Sequence, residues 1–191
     1  MAWLILITGL PAAGKMTLAT WLSKQLAIPF VHKDAIKEIL YDGLGWSDRE
    51  WSKKLGAASI KIMYYFAEAS LIAGRSIILD TPLRPDLASG EISTLARQTL
   101  ASTIQIICRA DPAVAYQRFE QRAVAGVRHP GHLDMQTLGE AKASFAQNRP
   151  LRLDIDGEVI EVDTNDFSAL HYEHVLAQIQ VIMGNASPNN Q

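Results

Sequence analysis

An apolar run, Trp3-Leu-Ile-Leu-Ile-Thr8, passes directly into Gly9-Leu-Pro-Ala-Ala-Gly14-Lys15-Met16-Thr17. A chain written this way is committed to a buried strand, a glycine-bounded turn and a helix that opens where the turn ends. The free N–H groups of such a helix start converge on one point, and the peptide dipoles make that point attractive to a polyanion. Lys15 adds a point charge that reaches the β- and γ-phosphates of a nucleotide. Gly9, Pro11, Ala12, Ala13, Gly14, Lys15, Met16 and Thr17 are therefore the expected phosphate cradle. An ordinary glycine-rich turn would satisfy the glycines alone, without the lysine, the strand before it or the helix after it.

The pattern G-x-x-x-x-G-K-[ST] is met everywhere except at its last position. Met16 stands where a hydroxyl would ligate Mg²⁺, and a thioether is a poor ligand for a hard cation. Thr17 is one residue late, about 100° further round a helix. Nucleotide binding is expected to survive this change better than metal-dependent turnover.

Apolar runs rich in β-branched residues fall at Trp3–Thr8, Pro29–His32, Ser76–Asp80, Thr103–Cys108 and Val159–Val162. Between and after them lie helical stretches at Lys15–Ala27, Asp34–Tyr41, Asp48–Ala73, Asp86–Leu100, Pro112–Val124, Met135–Gln147 and Ser168–Met183. This alternation predicts βαβ units and a parallel sheet covered on both faces. In the longest helix Trp51, Leu55, Ala58, Ile62, Tyr65, Ala69 and Ile72 recur at helical spacing and are expected to form its buried stripe. The 191 residues, 48% hydrophobic, suffice for one domain with a sizeable core. That domain is expected over 1–184, with a lid at about 118–147 and a disordered tail over 185–191. Cys108, the single cysteine, lies in an apolar run and reads as core. A net charge of −2 argues against a polynucleotide partner. No apolar stretch reaches membrane-spanning length, and the N-terminal run lacks the basic segment of a signal peptide, so the expected compartment is the cytoplasm.

Three clusters are placed to do chemistry. Asp34 follows the second strand, and the carboxyl ends of parallel strands face the ligand crevice. It reads either as a helix N-cap or as the carboxylate that orients or deprotonates an attacking hydroxyl. Asp80 closes the third strand and is placed to hold Mg²⁺ directly or through water, or to cap a turn. Arg84, just beyond it, suits a substrate anion. Arg118 and Arg122 share one side of a helix, and Arg128-His-Pro-Gly-His132 follows with the glycines and proline of a flap. Arginines on a closing flap can neutralise charge on a transferring phosphoryl group. Lys37, Tyr41 and Trp46, around the end of the second helix, are candidates for an acceptor pocket, although both rings would also serve as packing. The pairs His129/His132 and His171/His174 have no third ligand nearby, which disfavours zinc.

With these residues in view the chain resembles the small P-loop nucleoside-triphosphate kinases of the adenylate-kinase-like branch. Within it, the chain is most similar to the AAA family ATPase and zeta-toxin-like predicted kinases that begin G-L-P-A-S-G-K-[ST]-T-L-A. The resemblance runs from Trp3 to Met183. It includes Phe30-Val-His-Lys-Asp34-Ala-Ile-Lys37, Leu79-Asp80-Thr-Pro-Leu-Arg84, the Arg118/Arg122 helix, Arg128-His-Pro-Gly-His132 and Val159-Ile-Glu-Val-Asp163-Thr164. It implies a five-stranded parallel sheet of order 2-3-1-4-5 with a small helical lid. It implies ATP and Mg²⁺ as cofactors, Asp34 at the phosphoryl acceptor as in shikimate kinase and chloramphenicol phosphotransferase, and Asp80 at hydrated Mg²⁺. It places Arg118 beside adenine, Arg122 near the phosphates, Arg128 at the lid and Thr164 in the loop flanking the base. The expected activity is phosphoryl transfer from ATP to a small-molecule hydroxyl, or ATP hydrolysis. The alternative, favoured by Met16, is a nucleotide-binding sensor or partner protein with weakened catalysis. A toxin-type kinase acting on a nucleotide sugar or nucleic acid is a third, disfavoured by the acidic balance.

Overall fold

The computed structural model describes residues 1–80, 85–147 and 151–185. Strand β1 (Trp3–Gly9) is buried along its whole length. A strand covered on both faces needs apolar side chains in both directions rather than alternation, and β1 has them. Leu4 and Leu6 point into one core layer with Met63, Ala67, Leu71 and Ile92. Ile5 and Ile7 point into the other with Leu18, Leu22, Phe119, Phe145 and Ile179.

Around β1 the sheet is parallel throughout, in the order β2-β3-β1-β4-β5. The flanking strands are β2 (Phe30–His32), β3 (Ile77–Asp80), β4 (Ser102–Arg109) and β5 (Glu158–Asp163). The helices are α1 (Lys15–Leu26), α2 (Lys33–Leu44), α3 (Arg49–Ile72), α4 (Pro85–Thr99), α5 (Pro112–Ala125), α6 (Leu138–Ala146) and α7 (Tyr172–Asn185). Helices α3 and α4 supply the core on one face of the sheet, and α1, α5, α6 and α7 on the other. Because every strand runs the same way, Gly9, His32, Asp80, Arg109 and Asp163 all end at one edge. That edge is where the site is built.

Three expectations are corrected. The buried stripe of α3 is Ser52, Leu55, Gly56, Ser59, Met63, Ala67 and Leu71. The expected stripe shares only Leu55 with it; Tyr65, Ala69 and Ile72 face solvent. The helix is apolar on two faces, and the one with the smaller residues lies against the sheet and α2. Next, α2 begins at Lys33 and its cap is His32, whose Nδ1 accepts from the Ala35 N–H at 3.4 Å, so Asp34 sits in the first turn rather than at the cap. Finally, α6 and α7 start three and four residues later than their patterns suggest. Short 3₁₀ turns at Pro130–His132 and Phe167–Ala169 precede them, each closed by its own side-chain cap, His129 and Asp166.

The rotated face of α3 gives a direct check. Met63→Ala is expected to cost about 2–5 kcal/mol in urea unfolding, the usual price of truncating a large core side chain. A loss below about 1 kcal/mol, the scale of surface changes, would show that Met63 does not carry the core contact assigned to it.

Candidate active site

The loop leaving β1 is shaped by backbone conformation before any ligand enters. Ala12 and Gly14 both take left-handed φ values, 59° and 80°. Gly14 is the N-cap of α1 and supplies no side chain, so no side-chain bond closes the helix start. The first helical turn-closing bond runs from Leu18 N–H to Gly14 C=O at 3.2 Å. The N–H groups of Lys15, Met16 and Thr17 therefore have no partner within the helix. Ala13 is buried, and its N–H is spent on Leu10 C=O at 3.2 Å. The Lys15 ammonium folds across the loop and donates to Gly9 and Leu10 C=O at 3.0 and 2.9 Å. These bonds are to neutral carbonyls; a phosphate would offer the same ammonium a stronger, charge-assisted one.

Met16 is 55% exposed, so its thioether brings no hard oxygen to this place. Asp80 ends β3 level with Ile7 of β1 and His32 of β2. Burial raises the Asp80 pKa, while the Lys15 charge pulls it back. The residues present thus fit a cation carried chiefly by phosphate oxygens, with Asp80 as the protein carboxylate beside it and Met16 contributing nothing.

On the other side of Asp80, a second charged cluster centres on Asp34. Lys33 Nζ lies 3.2 Å from Oδ1 and Arg128 Nη2 lies 2.6 Å from Oδ2. Burial alone would raise the Asp34 pKa; Lys33, Arg128 and nearby His132 outweigh it and hold the carboxyl well below the usual range. Arg128 Nη1 also donates to Asp134, lying 2.9 and 3.0 Å from its two carboxylate oxygens. Its Nη2 meets His132 Nδ1 at 2.9 Å, and His132 Nε2 meets Glu38 Oε1 at 2.8 Å. Arg128 Nη2 also lies 3.1 Å from Nε2; neutral His132 with the proton on Nε2 accepts from Arg128 at Nδ1, the shorter contact, and donates to Glu38. Burial first, then the Arg128 charge, presses the His132 pKa down to about 3.

These bonds seat the segment 128–140 on α2 and α3. His129 stacks on Tyr41 with centroids 5.0 Å apart. A Cβ on Gly131 would stand 2.8 Å from the Tyr41 ring and 2.9 Å from Trp46 Cβ, so only glycine lets the segment lie this close. Arg49 reaches Glu140 at 2.9 Å. That exposed pair contributes about 0.2–1 kcal/mol, whereas hydrogen bonds between charged, half-buried groups contribute about 1.5–3 kcal/mol each. The Arg128 cluster is what holds the segment down.

The other expected residues divide by place. Tyr41 is 1% exposed, its hydroxyl 2.7 Å from Ser52 Oγ; it is packing beneath the segment rather than an open pocket wall. Lys37, also buried, donates to the same Ser52 at 2.9 Å, and burial followed by the Lys33 charge lowers its pKa to about 8. Arg122 points its buried Nε at no partner among the described residues; burial and then Arg128 lower its pKa. Arg118, one turn earlier, goes elsewhere: it donates to Thr164 C=O at 2.7 Å and to Asn165 C=O, and lies flat on Phe167, 3.9 Å from the ring centroid. Thr164 itself is buried and tied to Arg109 C=O. Phe167 also touches the loop, its ring edge standing 2.4 Å from where a Gly14 Cβ would be. Arg84 lies outside the described residues. Sequence reading missed Glu38, Ser52, Asp134 and Phe167. Glu38 had a signal, being one helical turn after Asp34; the others had none.

A phosphate loop on the central strand, the strand order 2-3-1-4-5 and carboxylates at the ends of β2 and β3 define a P-loop nucleotide-binding protein of the kinase class. Residues 4–148 match the family described as an AAA domain, and the chain belongs to it. It is 34% identical to a Chloroflexus aurantiacus protein whose crystal structure is described as that of a "putative kinase"; the match covers 95% of this chain and 98% of that one, with a TM-score of 0.88. A sugar kinase from Janibacter sp. HTCC2649 shares the fold at 16% identity and TM-score 0.56, covering 97% and 96%. Shikimate kinase from Bacteroides thetaiotaomicron does so at 16% identity and TM-score 0.50, covering 95% and 98%. No curated protein matches the chain. Among the described residues no helix is long and apolar enough to cross a membrane.

The buried, neutral His132 makes a pH prediction. Unfolded, a histidine binds a proton below about pH 6.5; folded, His132 takes one only near 3. Between these values the unfolded state holds the extra proton, so His132 makes the fold lose stability as pH falls. Urea unfolding from pH 6.5 to 4.5 should show a steeper loss for the parent than for His132→Gln, by up to about 1.4 kcal/mol per pH unit. Equal slopes would contradict the neutral assignment.

Proposed function

We propose that this chain transfers the γ-phosphoryl group of ATP to a hydroxyl of a small molecule. The observation that carries the reading is the pairing of an uncapped helix start with Lys15 on one side of Asp80 and an ionised, half-buried Asp34 on the other. Lys15 and the N–H groups of residues 15–17 would bind the phosphate chain. Bound there, Mg²⁺ would draw charge from the β- and γ-phosphate oxygens, with Asp80 the residue to hold it. Arg122, a half-buried cation whose buried Nε–H has no partner among the described residues, is the group best suited to charge developing on the transferring phosphoryl.

For Asp34 the electrostatics favour one of its two roles. A carboxylate held far below its normal pKa is a weak base, but a good hydrogen-bond acceptor. Asp34 would orient the acceptor hydroxyl along the line of attack; as the new O–P bond forms, the bond from the γ-phosphorus to the ADP oxygen breaks, and the hydroxyl proton would pass to an oxygen of the transferred phosphoryl group and on to water. Lys33, Lys37 and Arg128 around it favour an acceptor that carries negative charge as well as its hydroxyl. The segment 118–147 would serve as the lid, with Arg128 its contact to the acceptor carboxylate. Arg118 and the loop of Thr164 and Phe167 would flank the base.

The second reading, a nucleotide sensor with weakened catalysis, is favoured by Met16 alone. One experiment separates the two: γ-phosphate transfer from labelled ATP across a panel of hydroxylated metabolites, for the parent, Asp34→Asn and Met16→Thr. The enzyme reading expects transfer by the parent, a loss of about 10²-fold or more in Asp34→Asn, and a stronger Mg²⁺ dependence in Met16→Thr. No transfer by the parent or by Met16→Thr would favour the sensor, and an active Asp34→Asn would remove Asp34 from the reaction.

A further inference from the structure

The face of α3 that the sheet does not use also carries large apolar side chains. Tyr65 and Ile72, seven positions apart on one side of the helix, are 68% and 70% exposed, and Leu87 on α4 is 61% exposed. With side chains of this size the three present on the order of 400 Å² of largely apolar surface, the size of the largest patch a monomer commonly leaves in water. Tyr65 and Leu87 line a groove of about 640 Å³ between α3 and α4. Gly90 lies in that groove with nothing within 4 Å of where its Cβ would stand. Such a glycine, inside a helix where it lowers stability, leaves room for another backbone to approach.

The charges that line the groove say what it takes. Lys61 and Glu68 line it; two turns apart on one face of α3, they bracket Tyr65 with opposite charges. A stripe with that pattern is complementary to itself when reversed. A second α3, antiparallel and related by a twofold axis beside Tyr65, sets each Lys61 against the other chain's Glu68 and stacks the two tyrosines at the axis.

We propose that the chain is a twofold homodimer joined through antiparallel α3 helices, with α4 walling the groove. The interface lies on the side of the sheet away from α1, and no residue of it belongs to the phosphate loop or the Asp34 cluster, so the proposal stands or falls apart from the kinase reading. It does adjoin the site by connection: α4 begins five residues after Asp80.

Sedimentation of the full chain across the micromolar range tests it. The parent should run as a dimer. Tyr65→Asp should raise the dissociation constant about 30-fold or more, as loss of a central aromatic anchor does. Lys61→Glu should weaken the dimer, and Lys61→Glu combined with Glu68→Lys should restore it, which a misfolded variant would not do. Tyr65→Cys should cross-link to its own copy under mild oxidation, the buried Cys108 staying silent. A parent that remains monomeric overturns the proposal and leaves the groove to a different macromolecule. A dimer indifferent to all of these changes places the contact elsewhere and overturns it equally.

Discussion

Strand β1 is hydrogen-bonded along both edges, to β3 and β4, and buried on both faces. That double constraint is what positions the site, because a strand with no freedom of register or tilt delivers Gly9 to one point at the sheet edge. The loop beyond it turns through left-handed Ala12 and Gly14 and starts α1 with its first N–H groups unspent. A loop on an edge strand would have the same residues and less of this definition. The phosphate cradle is thus a consequence of central burial, and its attraction for anions follows from peptide geometry as much as from Lys15.

Around that cradle, charge is sorted into two groups with Asp80 between them. On one side Lys15 rests on neutral carbonyls, a weak arrangement that an anion can displace. On the other, Arg128 is shared among Asp34, Asp134 and His132, a tight network in which His132 stays neutral so that Arg128 can donate to it. The difference matters for function. The loop is poised to exchange partners, whereas the Asp34 cluster is already knitted to the segment that covers it. Under the proposed reading, an entering acceptor would compete with Arg128 for Asp34, which would favour a ligand bringing an anion for Arg128 along with its hydroxyl.

What could be read from the residues follows the range of the interactions. Strand, loop and first helix are local, and their pattern was complete within 17 residues. Parallel pairing followed from the alternation of elements, but the order of the strands came through resemblance, since no periodicity encodes which strands are neighbours. The α3 stripe failed because the helix carries apolar residues on two faces, and spacing alone does not say which one meets the sheet; the large aromatics drew the reading to the wrong one. The contact between Arg128 and Asp34 spans 94 positions, so both residues were singled out while their pairing was not. Tyr41 read as either a pocket wall or packing, because nothing local shows that Gly131 and His129 cover it. Of the two readings of Asp34, the cap went to His32, and the Asp34 carboxylate is paired with Lys33 and Arg128 instead.

The central claim is that the turn after β1 binds a triphosphate through Lys15 and the start of α1. Calorimetric titration tests it most directly, with ATP, AMP and adenosine against the parent and Lys15→Ala. The account predicts that ATP binds the parent more tightly than AMP does, that adenosine binds weakest, and that Lys15→Ala lowers ATP affinity about 10- to 100-fold while leaving adenosine unchanged. Equal affinities for ATP and adenosine, or an ATP affinity untouched by Lys15→Ala, would contradict it.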